Sequence, residues 1–158
     1  MSRRIPDMLT MFDRLLASPS VSCTEPEWDQ GNRCEIQPMP SRDDKVNLIA
    51  VLGEGPGGLV LAGHTDTVPF DEKLWQMNPF GLTVRDERLY GLGATDMKGF
   101  FPVAIEAAQA FREARLREPL ILVATADEES SMDGANQLVA AGKPRARHAI
   151  VGEPTDLR

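Results

Sequence analysis

Apolar residues recur along this chain in two rhythms. Near the start, Met8, Leu9, Phe12, Leu15 and Leu16 are spaced like one face of a helix, which predicts a helix over residues 6–17, ending before a Ser-Pro-Ser stretch. Residues 18–45 lose that period. Pro19, Pro26, Pro38 and Pro40 interrupt them, and only CEIQP predicts a short strand. From Val46 the second rhythm takes over. VNLIAVLG and LVLAGH read as strands joined by the turn GEGPGG, and LVLAGH delivers His64 to its C-terminal end. DEKLWQMNPF reads as a loop, LTVRDERLYG as a hairpin turning near Asp86 and Glu87, and GLGATDMKG as a glycine-punctuated loop. FPVAIEAAQAFREARLRE predicts a helix with Phe101, Ile105, Ala108 and Phe111 on one side. PLILVATADEE is the most apolar strand and ends in consecutive acids. MDGANQLVAAGK predicts a shorter helix, and HAIVGEP a last strand ending in another acid.

Strands that alternate with helices and read as near-continuous apolar runs predict an α/β fold: a mostly parallel, mixed sheet with helices on both faces. In such sheets sites form beyond the carboxyl ends of the strands. Those ends are where this chain places its histidine and its acids.

Composition narrows the class. A chain of 158 residues is long enough for one domain with a core, and 42% hydrophobic with 26% charged residues is ordinary for a globular protein. A net charge of -7 argues against nucleic acid or an anionic membrane as partner. Cys23 and Cys34 make no disulfide framework and no CxxC spacing, and read as free thiols in a reducing compartment. The N-terminus has a basic start but no continuous apolar segment, and no run approaches a membrane span. The expected location is the cytoplasm.

Four strand or loop ends carry groups that bind hard metal ions: His64 with Asp66, Asp96, the run Asp127-Glu128-Glu129, and Glu153. Taken singly, each has a plainer reading. A lone histidine is more often structural, and Asp96 could cap the helix that follows. Together, carboxylates crowded at one sheet edge would repel without cations. Zn²⁺ accepts imidazole nitrogen and carboxylate oxygen, and neighbouring glutamates at a strand end can diverge, one to metal and one to water. A ligating histidine needs an acceptor on its other ring nitrogen, and Asp66 points the same way two residues on. A serine nucleophile elbow is absent, GEGPGG lacks the Lys-Ser/Thr of a phosphate loop, and GLGATD opens no GxGxxG helix.

GHTDTVPFDEKLWQMNPFGLTVRDERLYGLGATDMKGFF, ATADEESSMDGA and IVGEPT, in this order, resemble the acetylornithine deacetylase family of the dinuclear zinc aminoacylase/carboxypeptidase superfamily. HTDTVPF, LYGLGATDMKGFF and the EPT ending favour that family over the succinyl-diaminopimelate desuccinylases. The resemblance implies a zinc-exopeptidase-like α/β/α sandwich with two Zn²⁺ per complete site, Co²⁺ suiting the same ligands. It implies that His64 and Glu153 bind the first metal, that Asp96 bridges both, and that Glu129 binds the second. Glu128 would be the general base and Asp66 would orient His64. The peptide bond after Asp96 would be cis. The implied reaction is hydrolysis of N-acetyl-ornithine to ornithine and acetate, a step of arginine biosynthesis. The partner is thus a small N-acetylated amino acid, and a homodimer is expected only of a full-length relative. Two alternatives are a non-catalytic relative with weak metal binding and a sister N-acyl amino acid amidohydrolase.

Two departures stand out. An amphipathic helix of the family has no counterpart here, as though cut out at Asn32-Arg33, which would leave apolar surface uncovered. Family members also continue well beyond EPTDLR, through a lid and dimerisation domain and back into the catalytic domain. That further half carries a last histidine ligand of the second metal, a lid histidine that helps stabilise the oxyanion, and the groups that grip the substrate's carboxylate. Residues 1–158 are thus expected to be the N-terminal portion of the catalytic domain, impaired in activity alone, with His148 a surface residue.

Overall fold

The structure, a computed structural model, describes residues 33–39 and 42–155. The helix expected over residues 6–17 and Asn32, at the expected deletion, lie outside them. The described elements are β1 (Arg33–Met39), β2 (Arg42–Leu52), β3 (Leu59–His64), β4 (Thr83–Arg85), β5 (Arg88–Tyr90), α1 (Phe100–Ala110), β6 (Leu120–Thr125), α2 (Asp133–Ala140) and β7 (His148–Val151). β4 and β5 pair as the predicted hairpin, turning through Asp86 and Glu87, both at positive φ as a tight hairpin turn requires.

The main sheet has the order β1-β2-β6-β3-β7. β1 with β2 and β2 with β6 are antiparallel, whereas β3 is parallel to both β6 and β7. The sheet is mixed, as expected, and its parallel half brings the C-terminal ends of β3, β6 and β7 to one edge. β2 runs the other way, so its beginning lies at that same edge.

The two faces are covered by different helices. Ile49, Val60, Ile121 and Val123 lie on one face, held there by the pairings Ile49 with Val123 and Val60 with Ile121, and Leu138 of α2 packs on them. On the opposite face Gly63 lies against Met97 and against Phe101 of α1. Burying these side chains is the main driving force that holds helices to sheet.

Three boundaries differ from expectation. α1 ends at Ala110, short of the eighteen-residue segment read as helix; residues 111–115 are all exposed, so further turns would bury nothing to hold them. β1 exceeds CEIQP, and β2 starts at Arg42, before the apolar run begins, because main-chain pairing between the two strands continues past the hydrophobic alternation. Their register slips between Pro38 and Met39, where proline has no N–H to give to the ladder. β7 is an edge strand exposed along its length, with Ile150 and Val151 open to solvent. No described helix is long and apolar enough to cross a membrane.

Candidate metal centre

The site follows from strand direction. His64 closes β3 opposite Thr125, the last residue of β6, so Asp66 and the Asp127-Glu128-Glu129 run leave neighbouring strands side by side. Glu153 follows β7 on the other flank of β3. Asp96 arrives differently, on a tight turn over residues 94–98, opened by Gly93 at positive φ and containing a cis Asp96-Met97 bond. Met97 is fully buried, and its sulfur accepts the backbone N–H of His64 at 3.3 Å. That contact seats the turn on the end of β3. Asp96 does not cap α1, whose N-terminal cap is Gly99 with no side-chain bond.

His64 is the hub. It is 1% exposed, and its two ring nitrogens face different groups. Nε2 lies 3.0 Å from Asp96 Oδ1, 3.8 Å from Glu128 Oε2 and 3.8 Å from Glu153 Oε1. Nδ1 lies 3.0 Å from the backbone oxygen of Asp66 and 3.6 Å from its carboxylate. The Asp66 carboxylate turns instead to the next strand end, where it accepts the backbone N–H of Glu128 at 3.1 Å and of Glu129 at 3.0 Å.

The acidic loop is pinned from its other side by β2, through groups that no sequence motif marks. Asn47, fully buried, accepts the Ala126 N–H at 3.1 Å and donates to the Gly134 carbonyl at 2.9 Å. Asp127, the first acid of the run, pairs with Lys45. Its left-handed backbone turns the chain, and its carbonyl accepts the N–H groups of Ser131 and Met132. One acid of the three is thus structural, and the next two stay with the site. An amide or lysine flanking an apolar strand carries no local signal of this role, because its partners lie some eighty residues away in sequence.

The electrostatics reflect the crowding. Burial would push the His64 imidazole down, but the nearby Asp66 carboxylate, the Asp96 carboxylate and the hydrogen bond to the Asp66 backbone oxygen outweigh it and raise it to about 9. For Asp66 burial pulls upward, yet His64 and the amides of Glu129 and Glu128 hold its carboxyl below the usual range. Glu129 and Glu153 are pushed up, first by burial and then by neighbouring carboxylates, with His64 opposing. Lys98, buried in the Asp96 turn, is lowered by burial, partly offset by Asp66.

This donor set fits divalent cations. Two compact groups share His64: with Asp96 and Glu129, and with Glu128 and Glu153, the ligand atoms of each lying within 4.8 Å of one another. The second differs from the set expected for the first metal, since Glu128, the expected base, stands where Asp96 was read. Raised glutamates around one imidazole are a repulsion that a cation would relieve. The other histidine stands far from this cluster. His148 opens β7 opposite Leu59, at the far end of β3 from His64, and is exposed, as expected of a surface residue.

Known proteins share both sequence and fold with this chain. It is 46% identical over 173 aligned positions to the acetylornithine deacetylase of Photorhabdus laumondii and 46% identical over 172 to that of Pasteurella multocida, covering 99% of this chain and 45% of each relative. The chain therefore spans a little under half the length of these curated relatives. The span of 173 against 158 residues leaves at least 15 positions of the Photorhabdus protein without a counterpart here. Among solved structures, human carnosine dipeptidase 1 superposes with a TM-score of 0.75 at 24% identity, over 92% of this chain and 38% of that one. The aminopeptidase PepT of Bacillus cereus gives 0.66 at 20% identity, over 91% and 42%. These two likenesses establish the fold, a mixed sheet with helices on both faces as in those two proteins, of which this chain covers about two fifths. Residues 60–158 match the sequence profile of peptidase family M20/M25/M40. That stretch takes in most of the chain and every site residue from His64 to Glu153, and the chain accordingly belongs to peptidase family M20/M25/M40.

Proposed function

We propose that this chain is the N-terminal, ligand-bearing portion of a metal-dependent amidohydrolase that cleaves the acetyl amide of N-acetyl-ornithine, a cytoplasmic step of arginine biosynthesis. The observation that carries this reading is the convergence of Asp96, Glu128 and Glu153 on Nε2 of His64, in a chain of 46% identity to acetylornithine deacetylases. Homology of that degree favours the acetyl-ornithine substrate over other N-acyl amino acids.

His64, Asp96, Glu129 and Glu153 would hold two ions, Zn²⁺ or Co²⁺ by the hard and borderline character of the donors. When bound, such ions supply Lewis acidity to a carbonyl and lower the pKa of water. Glu128 would take a proton from the attacking water on a carboxylate oxygen and return it to the leaving amine nitrogen. Asp66 would hold the imidazole so that Nε2 faces the ligands. Among the described residues the second metal would have Asp96 and Glu129 but no further histidine, since His148 lies at the opposite sheet edge. The 158-residue chain alone is therefore expected to hold one ion better than two and to turn over slowly or not at all. A homodimer is expected only of a full-length relative.

Elemental analysis of the purified chain, with an N-acetyl-ornithine hydrolysis assay on the same sample, tests the reading. One ion retained, and lost in His64→Ala, supports it. Full metal content in His64→Ala removes the ligand assignment, and brisk turnover by the chain alone overturns the account of its incompleteness.

A further inference from the structure

We infer that Asp66 is a positioning residue for the glutamate pair: its carboxylate grips the backbone N–H groups of Glu128 and Glu129, while its main chain faces the ring of His64. This rests on the proposed reading of Glu128 and Glu129, and assigns Asp66 a task beyond orienting the imidazole.

The geometry separates the two tasks. The Asp66 backbone oxygen stands 3.0 Å from Nδ1, whereas its carboxylate stands 3.6 Å away, beyond good hydrogen-bond length. Each carboxylate oxygen has a backbone donor instead: Oδ1 the N–H of Glu128 at 3.1 Å, Oδ2 that of Glu129 at 3.0 Å. Successive N–H groups of an extended strand point to opposite sides, so both reach one carboxylate only where the chain turns. Asp127, immediately before, supplies that turn with φ of 57°. A two-point grip by one anion holds two successive peptide planes, Asp127-Glu128 and Glu128-Glu129, and with them the directions in which both glutamate side chains leave the main chain. Charge-assisted bonds of this kind are stronger than neutral ones. Asp66 thus ties the end of β3 to the end of β6 across the site.

The test uses the 158-residue chain and its Asp66→Asn and His64→Ala variants. Amide hydrogen exchange is followed by NMR at Glu128 and Glu129, with Val123 of the β6 core as reference, and Co²⁺ binding is followed by its visible d–d absorption. Asparagine keeps the shape and the main-chain oxygen but presents an NH₂ where one N–H was accepted. Exchange at Glu128 and Glu129 should rise about tenfold in Asp66→Asn relative to Val123, and stay near wild type in His64→Ala. The Co²⁺ band of Asp66→Asn should change in intensity or position as Glu129 shifts. Equal acceleration at Val123, no acceleration, or the same local loosening in His64→Ala would each overturn the inference. Should Asp66→Asn fail to fold, through-hydrogen-bond couplings in the wild-type chain between the Glu128 and Glu129 amide nitrogens and the Asp66 carboxyl carbon decide it: present they support the grip, absent they refute it. If wild type takes up no Co²⁺, the metal reading fails while exchange still decides the role of Asp66.

Discussion

The side-chain nitrogen of Asn47 donates to the backbone carbonyl of Gly134 at 2.9 Å, joining β2 to the first turn of α2. The same amide's oxygen accepts the Ala126 N–H, so one buried residue fixes both ends of the segment that contains Glu128 and Glu129. Gly134 has no room for a side chain, since a Cβ there would overlap Asn47 and the Ala126 backbone.

Asn47→Ala should therefore destabilise the chain by about 1–3 kcal/mol, because it strands a buried N–H and a buried carbonyl. Urea unfolding measures this. Asn47→Asp keeps the acceptor for Ala126 but loses the donor and buries a charge, and should be at least as costly at neutral pH.

Gly63 marks the other tight contact of the site. A Cβ there would lie 2.5 Å from Met97 Cε and 3.2 Å from Phe101 Cζ. Gly63→Ala should cost about 1–3 kcal/mol by overpacking and push the turn that carries Asp96. The expected outcome is a lower urea midpoint together with weaker Co²⁺ binding. Unchanged Co²⁺ affinity would show that Asp96 does not depend on this seat.

The metal-free chain should depend on pH in a defined direction. The folded-state pKa of His64, about 9, is above its ordinary 6.5. Its contribution to stability is fully present below about pH 6.5 and disappears as pH rises through 9. Glu129 and Glu153, also raised, act in the same sense in a lower window that begins near their ordinary 4.5. Asp66, lowered, acts oppositely, and its contribution is lost as pH falls below its ordinary 3.8. Thermal midpoints in chelator should fall from pH 6.5 to 9. A flat profile would mean that the imidazole is not held protonated by these carboxylates.

In a full-length homologue carrying the same motifs, glutamine at the position matching Glu128 should keep the metal content and lower kcat by about 10²–10⁴. Glutamine at the position matching Glu129 should instead reduce the content of one ion. Measuring metal and kcat on both separates base from ligand, and identical metal loss in the two would merge the roles.

Much of the fold was legible because burial leaves a mark on local sequence. LVLAGH and LILVAT are apolar up to their last residues since both faces of β3 and β6 are covered, and short apolar runs bounded by turns read as buried strands. The end of α1 was overread because FREARLRE is composed of good helix formers, and propensity does not report that these residues have nothing to pack against. The acidic run and the resemblance pointed to Glu128 and Glu129, but the part played by the first acid was not legible: Asp127 pairs with Lys45 and turns the chain.

The sequence by itself determined which segments are buried strands, that their ends carry imidazole and carboxylates, and, through the resemblance of those motifs to known proteins, the family. These are properties of short windows, where apolar period and residue chemistry act between near neighbours. The tertiary structure alone decided strand order, and therefore that the start of β2 and the ends of β3, β6 and β7 share one edge. Only that arrangement gives His64 its ring of carboxylates, the acidic loop its buried Asn47, and Asp66 the two amides it holds. Hydrogen bonds between groups some sixty to eighty positions apart depend on where the whole chain puts them, and no local pattern encodes that distance.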